Sequence, residues 1–551
     1  MAAKAADSPM EPSAPPTSTI TLSAPSLKST LTGCLDADSN VATFRGIPFA
    51  SVTQRWTHSK VKSTLDTPHF DATRYGHRSP QTDGLVMVSG GANDPTPGDD
   101  EFACLNLNVA VHSGHLSRGE KLPVMVWIHG HASPSFLVVG AFVYGANSVA
   151  RYRPERFIAA AEAYHRPVVL VQINYRLGLL GFAASDDLVR EAGPDAGNYG
   201  LVDQRNALEW VRRHIADFGG DAANVTAFGV SAGSASVHFH VLSGEPLFDR
   251  GIMMSGAAGT LGPLPFGVYQ TAWGELSRKC GLEEVGSEER MRRLRDMDAA
   301  ELVKTYTQRA MGPTGDVPGS KLLPATWGAE SRPQGSRCKA LIIGDTRVEG
   351  VIFGGFIANT PYESLHRMAV KHFGSDVDGF LEAFEFKDGM TTVEHRDAMY
   401  QLLSALMFQY PGTLAAKSFS GVGKAYLYHF EEPSPFPGPT HGLSYHGQCA
   451  LYLHMNESET IPDAGNKTSE EMIRRWVGFA YGEEPWEEAA SSPKQVPRFM
   501  RFGPSGKEEL HDYESDAVRN YGWVTWLESH FDAAKGFAQR LMHSSLWERE
   551  D

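Results

Sequence analysis

The sequence predicts an α/β fold, in which a mostly parallel central sheet carries helices on both faces. Two observations support this prediction. Short runs rich in β-branched residues alternate along the chain with longer segments of helical periodicity. The chain has 551 residues, 42% of them hydrophobic and 21% charged, which is enough apolar material for a large core. No internal repeat or long linker interrupts residues 26–551, so we expect them to form a single domain.

Six of the apolar runs are too short for buried helices and are predicted to be buried strands. They are residues 124–128, 168–173, 224–228, 252–254, 340–343 and 424–430. The clearest helix is predicted at 201–218, where Leu208, Val211 and Ile215 recur at helical spacing. In such a sheet, ligands bind at the carboxyl ends of the parallel strands.

The remaining composition limits the class of partner. Acidic residues number 65 and basic residues 50, and the resulting formal charge of −15 disfavours binding to nucleic acid. No apolar run has the roughly 18 residues needed to span a membrane. Residues 1–25 are rich in proline, serine and alanine and are predicted to form a flexible tail. We therefore expect a small-molecule partner, and the sequence gives no indication of the oligomeric state.

A G-x-S-x-G motif, GVSAG at residues 229–233, directly follows the predicted strand 224–228. Residues 234–240 are apolar enough to begin a helix. Strand, tight turn and helix form the nucleophile elbow of α/β-hydrolases, whose serine lies on a strained turn. The two glycines fit this geometry because a Cβ on either flank would clash with neighbouring chain. The motif predicts Ser231 as a nucleophile, and an ordinary glycine-serine turn is the alternative.

A serine nucleophile needs a histidine base and a carboxylate that orients the histidine. In α/β-hydrolases the acid and then the histidine follow the serine along the chain. The loop after strand 340–343 offers two carboxylates, and the chain after strand 424–430 offers three histidines. The carboxylates are Asp345 and Glu349, and the histidines are His441, His446 and His454. Spacing alone does not choose among them.

Five longer segments have the pattern of one known family. They read VATFRGIPFA, CLNLNV, NYRLGLLGF, WVGFAYG and the whole stretch from 197 to 237. Through these motifs the sequence resembles the type-B carboxylesterases, the cholinesterase-like branch of the α/β-hydrolases, over most of residues 26–482. The resemblance implies an α/β-hydrolase fold with large loop and helix insertions. It also implies the activity of a serine carboxylic ester hydrolase.

The resemblance also assigns roles to particular residues. It implies Ser231 as the nucleophile, Glu349 as the acid because it fills the family's E-G position, and His446 as the base because it fills the H-G position. His441 is the reserve candidate for the base. Asp345 has no role in this assignment.

One departure from the family concerns the oxyanion hole. The resemblance places its backbone donors at His131, Ala132 and Ala232, but the family has glycine where this chain has His131, and an aromatic residue where it has Ser133. A positive φ at a histidine would cost about 1 kcal/mol or more. Either the His131 backbone adopts the required conformation and its ring lines the pocket, or the ring supplies an extra donor or shapes the site for one particular substrate.

A second departure concerns the cysteines. There are five, an odd number without a C-x-x-C pair, so neither a disulfide framework nor a zinc ribbon is indicated. The resemblance implies a disulfide from Cys104 to an upstream C-P-Q segment, but this chain reads Ser79-Pro80-Gln81. Together with the absence of an apolar signal-peptide core near the start, this favours a cytoplasmic location.

These features predict hydrolysis of a small-molecule ester through an acyl-enzyme on Ser231, with no metal or organic cofactor. An alternative keeps the same residues but passes the acyl group to another alcohol or amine, as in a biosynthetic transacylase or a cyclising enzyme. A second alternative is a non-catalytic binding module of the same fold.

Overall fold

The computed structural model describes residues 18–81, 95–130, 142–260, 262–306, 312–320, 323–324, 326–357, 360–489 and 496–542. Thirteen described strands form one sheet in the order β1-β2-β3-β7-β9-β8-β10-β11-β14-β15-β16-β17, with β6 paired to β2. The strands are β1 Thr19–Ala24, β2 Ser29–Leu35, β3 Val41–Pro48, β6 His69–Asp71, β7 Asn106–His112, β8 Leu122–Ile128, β9 Val169–Ile173, β10 Gly220–Val230, β11 Arg250–Met254, β14 Ala340–Thr346, β15 Lys424–Phe430, β16 Phe499–Phe502 and β17 Glu508–His511. Two small pairs lie outside it, β4 Ala50–Ser51 with β5 Lys60–Val61 and β12 Leu264–Pro265 with β13 Thr314–Gly315.

The centre of the large sheet is parallel, as predicted. The strands β9, β8, β10, β11, β14, β15 and β16 pair in parallel in that order. Antiparallel strands extend the sheet at both sides. All six predicted strands are confirmed, each within a few residues of its predicted bounds. The mostly parallel α/β sheet predicted from the sequence is therefore observed, and it agrees with the α/β-hydrolase fold that the resemblance implies.

Helices cover both faces of the sheet. They are α1 Glu155–Ala163, α2 Gly178–Phe182, α3 Asp186–Ala192, α4 Tyr199–His214, α5 Ala232–Leu242, α6 Phe266–Lys279, α7 Ser287–Asp296, α8 Ala299–Thr305, α9 Gly354–Ile357, α10 Tyr362–Phe373, α11 Val377–Ala383, α12 Thr392–Ser404, α13 Tyr410–Phe419, α14 Gln448–His454, α15 Asp463–Ala480 and α16 Gly522–Met542. The helix predicted at 201–218 corresponds to α4 and the 3-10 turn Ile215–Phe218 that follows it. No described helix is both long enough and apolar enough to cross a bilayer.

Strand β8 shows how the core is divided. Val124, Val126 and Ile128 face one apolar layer, which also contains residues of α4 and α5. Met125 and Trp127 face a second layer, with residues of α1 and α15. Successive side chains of a strand point to opposite faces, and both faces are buried here. That double burial explains why the central strands read as continuous apolar runs rather than as alternating ones.

The predicted tail is wrong for residues 19–24. Thr19–Ala24 forms β1, which pairs antiparallel with β2 from Thr19 opposite Cys34 to Ala24 opposite Ser29. Leu22 and Ala24 lie two residues apart on the strand, so their side chains point to the same face, and both are buried. The segment therefore makes apolar contacts that its composition did not predict. Residues 1–17 lie outside the described residues.

All five cysteines are unpaired. Ser79, at the position where the resemblance implied a disulfide partner, is buried and accepts a hydrogen bond from the Leu177 backbone N–H at 3.1 Å. Cys104 is buried, and burial raises the pKa of its thiol far above the ordinary value. The hydroxyl at position 79 therefore has a structural partner of its own.

Candidate active site

Ser231 lies in the turn between β10 and α5. Its backbone has φ 57° and ψ −119°, a sparsely populated conformation for a residue with a side chain. The turn is held by a hydrogen bond from the Ser231 N–H to the Met254 carbonyl at 2.8 Å. Ser231 is buried, with 3% of its surface exposed. The motif at 229–233 therefore has the strand, strained turn and helix of a nucleophile elbow, and not the geometry of an ordinary turn.

The glycines beside Ser231 are required by close contact with β8. A Cβ on Gly229 would lie 2.5 Å from the Ile128 carbonyl oxygen, and one on Gly233 would lie 1.9 Å from the same atom. Both distances are far below van der Waals contact. Any larger residue at either position would push the elbow away from the end of β8.

The segment after β8 packs directly on the elbow. A Cβ on Gly130 would lie 1.9 Å from the Val230 carbonyl oxygen and 2.9 Å from the Ala232 nitrogen. The chain that the sequence analysis assigned to the oxyanion hole thus leaves β8 beside the backbone N–H of Ala232. His131 and Ala132 lie outside the described residues, so their role stays a prediction.

Glu349 begins the 3-10 turn Glu349–Phe353, just beyond the end of β14. Its carboxylate is fully buried and accepts hydrogen bonds on both oxygens. The Thr346 backbone N–H donates to Oε1 at 2.6 Å, and Nδ1 of His446 donates to Oε2. The side chain is therefore held in one orientation by its own loop and by the histidine.

His446 lies in the segment between β15 and α14 and is 1% exposed. Two backbone contacts join this segment to the loop of the acid: the Val348 N–H donates to the Ser444 carbonyl at 2.8 Å, and Val348 pairs with Tyr445 as a short parallel bridge. The ring of Phe408 packs against the imidazole, with centroids 4.8 Å apart. Backbone contacts between the two loops and the packing of Phe408 therefore hold the Glu349–His446 pair in place.

The structure separates the alternatives that spacing left open. Asp345 accepts hydrogen bonds from Arg519 Nη1 at 2.6 Å and from His429 Nδ1 at 2.9 Å, and none from His446. Burial opposes ionisation of Asp345, but the charges of Arg519 and His429 outweigh it and hold the pKa of the carboxyl below its ordinary value. Asp345 belongs to an internal ion network.

The other two histidines are also placed elsewhere. His441 is exposed, and its Nδ1 lies 3.3 Å from the Phe436 carbonyl oxygen. His454 is buried among aromatic rings, including Trp127 at a centroid distance of 4.8 Å, and its Nδ1 lies 2.9 Å from the Ala450 carbonyl oxygen. Burial lowers the pKa of His454 to about 4, which suits a neutral structural histidine.

Ser231 and the Glu349–His446 pair lie at the same edge of the sheet, after the carboxyl ends of β10, β14 and β15. The chain just after β11 packs against the turn of Ser231, since a Cβ on Gly256 would lie 2.5 Å from the Ser231 carbonyl oxygen. The Nε2 atom of His446 is buried without a hydrogen-bond partner among the described residues. The bond from His446 to Glu349 is therefore formed, whereas a bond from Nε2 to Ser231 is not.

The helix that supports the loop of Glu349 was not predicted from the sequence. Ser404 ends α12 and its hydroxyl accepts a hydrogen bond from the Gly350 N–H at 2.8 Å. A π-helical segment, Ala405–Gln409, follows and brings Phe408 to His446 and Gln409 to the Arg347 carbonyl oxygen at 3.2 Å. π-Helical turns occur often at functional sites, but no periodicity in the sequence marked this one.

Comparisons with known proteins identify the family and the fold. A family model described as the carboxylesterase family matches residues 30–514. Lipase 3 of Yarrowia lipolytica is 27% identical over 483 residues, covering 85% of this chain and 90% of the lipase. The para-nitrobenzyl esterase of Bacillus subtilis is 28% identical over 482 residues, covering 83% of this chain and 89% of the esterase. A solved structure of a thermophilic PNB esterase has a TM-score of 0.69 at 25% identity, covering 90% of this chain and 98% of that one.

Proposed function

This chain belongs to the carboxylesterase family and is a carboxylic ester hydrolase, and we propose that it cleaves small-molecule esters through an acyl-enzyme on Ser231. The observation that carries the proposal is the buried hydrogen bond between His446 and Glu349 at the sheet edge where the strained turn of Ser231 lies. The names of the para-nitrobenzyl esterase and of the lipase among its relatives support an ester as the substrate.

In the proposed reaction, the Ser231 hydroxyl attacks the ester carbonyl while Nε2 of His446 accepts its proton. The unpartnered state of Nε2 leaves this nitrogen available as the base. Glu349 accepts the Nδ1 proton, which fixes the tautomer and stabilises the imidazolium that forms. The Ser231–His446 hydrogen bond would close when substrate binds, as catalytic hydrogen bonds often do.

The tetrahedral intermediate then collapses. The imidazolium returns the proton to the leaving alcohol, and the carbonyl carbon remains bonded to the Ser231 oxygen. Water attacks this acyl-enzyme with His446 again as the base, which releases the acid and restores the serine. The Ala232 N–H, at the first residue of α5, would donate to the oxyanion together with the backbone of 131 and 132.

Substitution of the nucleophile tests the mechanism. We expect Ser231→Ala to lower kcat for para-nitrophenyl acetate by about 10⁶-fold, because no other residue would carry the acyl group. Ser243→Ala is the matched control: this serine caps the same helix, and its hydroxyl donates to the His240 carbonyl and accepts from the Glu245 N–H. Its kcat should equal that of the wild type. Undiminished hydrolysis by folded Ser231→Ala would contradict the mechanism.

A product analysis separates hydrolysis from acyl transfer. The proposal predicts that the free acid accumulates with water as the acceptor, at a rate that added alcohols and amines leave unchanged within about twofold. A large increase in ester or amide product at millimolar acceptor would instead indicate a transacylase that uses the same residues.

A further inference from the structure

A cluster of metal-ligating side chains lies at the opposite edge of the sheet from Ser231. It consists of His112 at the end of β7, His115 in the 3-10 turn Ser113–His115, and Glu162 near the end of α1. One nitrogen or carboxylate oxygen of each lies within 4.8 Å of the others. We propose that these three residues bind a divalent transition-metal ion such as Zn²⁺, with a water molecule as the fourth ligand.

The position follows from strand register. Strand β7 runs antiparallel to β9, with Ala110 beside Leu170 near the start of β9. His112 therefore lies beyond the amino ends of the parallel strands, whereas Ser231 follows the carboxyl end of β10. A strand of about six residues spans about 20 Å. The cluster is thus separate from the ester-cleaving site and does not depend on the function proposed above.

His112 supplies the first argument for a ligand. Its Nδ1 atom is buried and has no hydrogen-bond partner among the described residues. A buried polar atom without a partner is costly, and a bound ion would remove that cost. Gly114 leaves room beside this atom, since a Cβ there would lie 3.3 Å from Nδ1.

His115 supplies the second argument. Its Nε2 lies 2.8 Å from Glu162 Oε2, and its Nδ1 lies 2.5 Å from Glu120 Oε2. In the proposed site Nε2 would bind the ion beside the Glu162 carboxylate, while Nδ1–H donates to Glu120. Histidine ligands to zinc commonly donate their other N–H to a carboxylate in this way.

The donor set and dimensions suit the proposed ion. Two imidazoles and one carboxylate are ligands that zinc accepts, with bonds of about 2.0 to 2.2 Å and ligand atoms about 3.4 Å apart. Binding would require side-chain rotations that bring the ligand atoms from within 4.8 Å of one another to that spacing. Imidazole ligands favour zinc, nickel and copper over magnesium and calcium. Glu120 and Glu162 are both partly exposed, which gives the ion access from solvent.

The ion would join two segments that are distant in sequence. His112 ends the strand β7 and His115 lies in the turn that follows it, whereas Glu162, in the last turn of α1, is 47 residues after His115. A bound ion would hold the last turn of α1 against the turn after β7. We therefore expect metal to raise the thermal stability of the fold and to leave ester hydrolysis unchanged.

The test uses the full-length protein after removal of metal with a chelator. Isothermal titration with Zn²⁺ should show one ion bound per chain, and excess Zn²⁺ should raise Tm by at least about 2 °C, whereas Mg²⁺ should do neither. His112→Ala removes a ligand but leaves the contacts of His115 with both carboxylates. It should abolish the Tm shift and weaken Zn²⁺ binding at least tenfold, with the metal-free Tm and kcat unchanged.

Two further variants sharpen the result. Glu120→Gln should weaken Zn²⁺ binding by about tenfold to a hundredfold, because Glu120 orients His115 and is not itself a ligand. His69→Ala, an exposed histidine away from the cluster, should bind Zn²⁺ like the wild type. Absence of stoichiometric Zn²⁺ binding by the wild type, or equal affinity in His112→Ala, would overturn the proposal.

Discussion

Two histidine–carboxylate pairs lie at the carboxyl ends of the same neighbouring strands, and they differ in what surrounds the carboxylate. Asp345 and His429 are register partners on β14 and β15, and Arg519 binds Asp345 at 2.6 Å. Glu349 and His446 lie in the loops just beyond, and among the described residues Glu349 has no ion pair except the one with His446. No second cation in the described structure therefore competes with His446 for the Glu349 carboxylate.

In the proposed mechanism, a carboxylate and an imidazole serve stability in one pair and chemistry in the other. The charge of Asp345 is shared between a guanidinium and an imidazole inside the sheet, and Arg519 also contacts Glu431. A buried network of this kind is fixed, and its cost of desolvation is offset only while every member is present. By contrast, an acid in a catalytic triad must strengthen its interaction when the histidine becomes charged.

The largest expected effect on kcat comes from removing the charge of Glu349 in the Glu349–His446 pair. Glu349→Gln keeps the size of the side chain but removes the charge that stabilises the imidazolium. We expect kcat for para-nitrophenyl acetate to fall by about 10³ to 10⁴-fold. Thermal unfolding should change little, because no other charged group in the described part of the chain forms an ion pair with Glu349. A kcat within tenfold of the wild type would show that Glu349 is not the acid.

Substitution in the Asp345–His429 pair should instead lower stability and change kcat little. Asp345→Asn should lower the free energy of unfolding by about 3 kcal/mol, because Arg519 loses one of its two carboxylates in a buried site. Its kcat should remain within tenfold of the wild type. Urea denaturation and the ester assay on the same preparations measure both quantities. A catalytic loss as large as that of Glu349→Gln, with unchanged stability, would reverse the assignment of the two carboxylates.

The contribution of Asp345 to the stability of the fold should depend on pH. The pKa of Asp345 is held below its ordinary value in the folded protein, so ionised Asp345 stabilises the fold at neutral pH. That contribution is lost as the pH falls from the ordinary aspartate pKa through the lowered one. The stability difference between wild type and Asp345→Asn should therefore narrow in acid.

Much of the fold and part of the site could be predicted because their signals are local. The apolar runs of β8, β10 and β14 and the glycines around Ser231 identify the sheet and the elbow within a few residues. The choice between Asp345 and Glu349 could not be made in the same way. Asp345 is occupied by Arg519, which lies 174 residues later in the chain. Only the fold brings that cation to the strand end.

The edge strand β1 and Glu162, the acidic residue of the proposed metal cluster, also could not be predicted from local sequence patterns. Thr19–Ala24 lies next to a segment of low complexity, and its strand becomes evident only when β2 is beside it. His112 and His115 are close in sequence, yet Glu162 reaches them only through the packing of α1. Contacts across long sequence separation are what the linear pattern lacks.

Trapping of the acyl-enzyme is the most direct test of the central claim. The protein is mixed with para-nitrophenyl acetate, quenched in acid within one turnover, digested and analysed by mass spectrometry. We predict one acetyl group per chain on the peptide that contains Ser231, and none on that peptide in Ser231→Ala. Acetylation of a different residue during turnover, with Ser231 unmodified, would contradict the account.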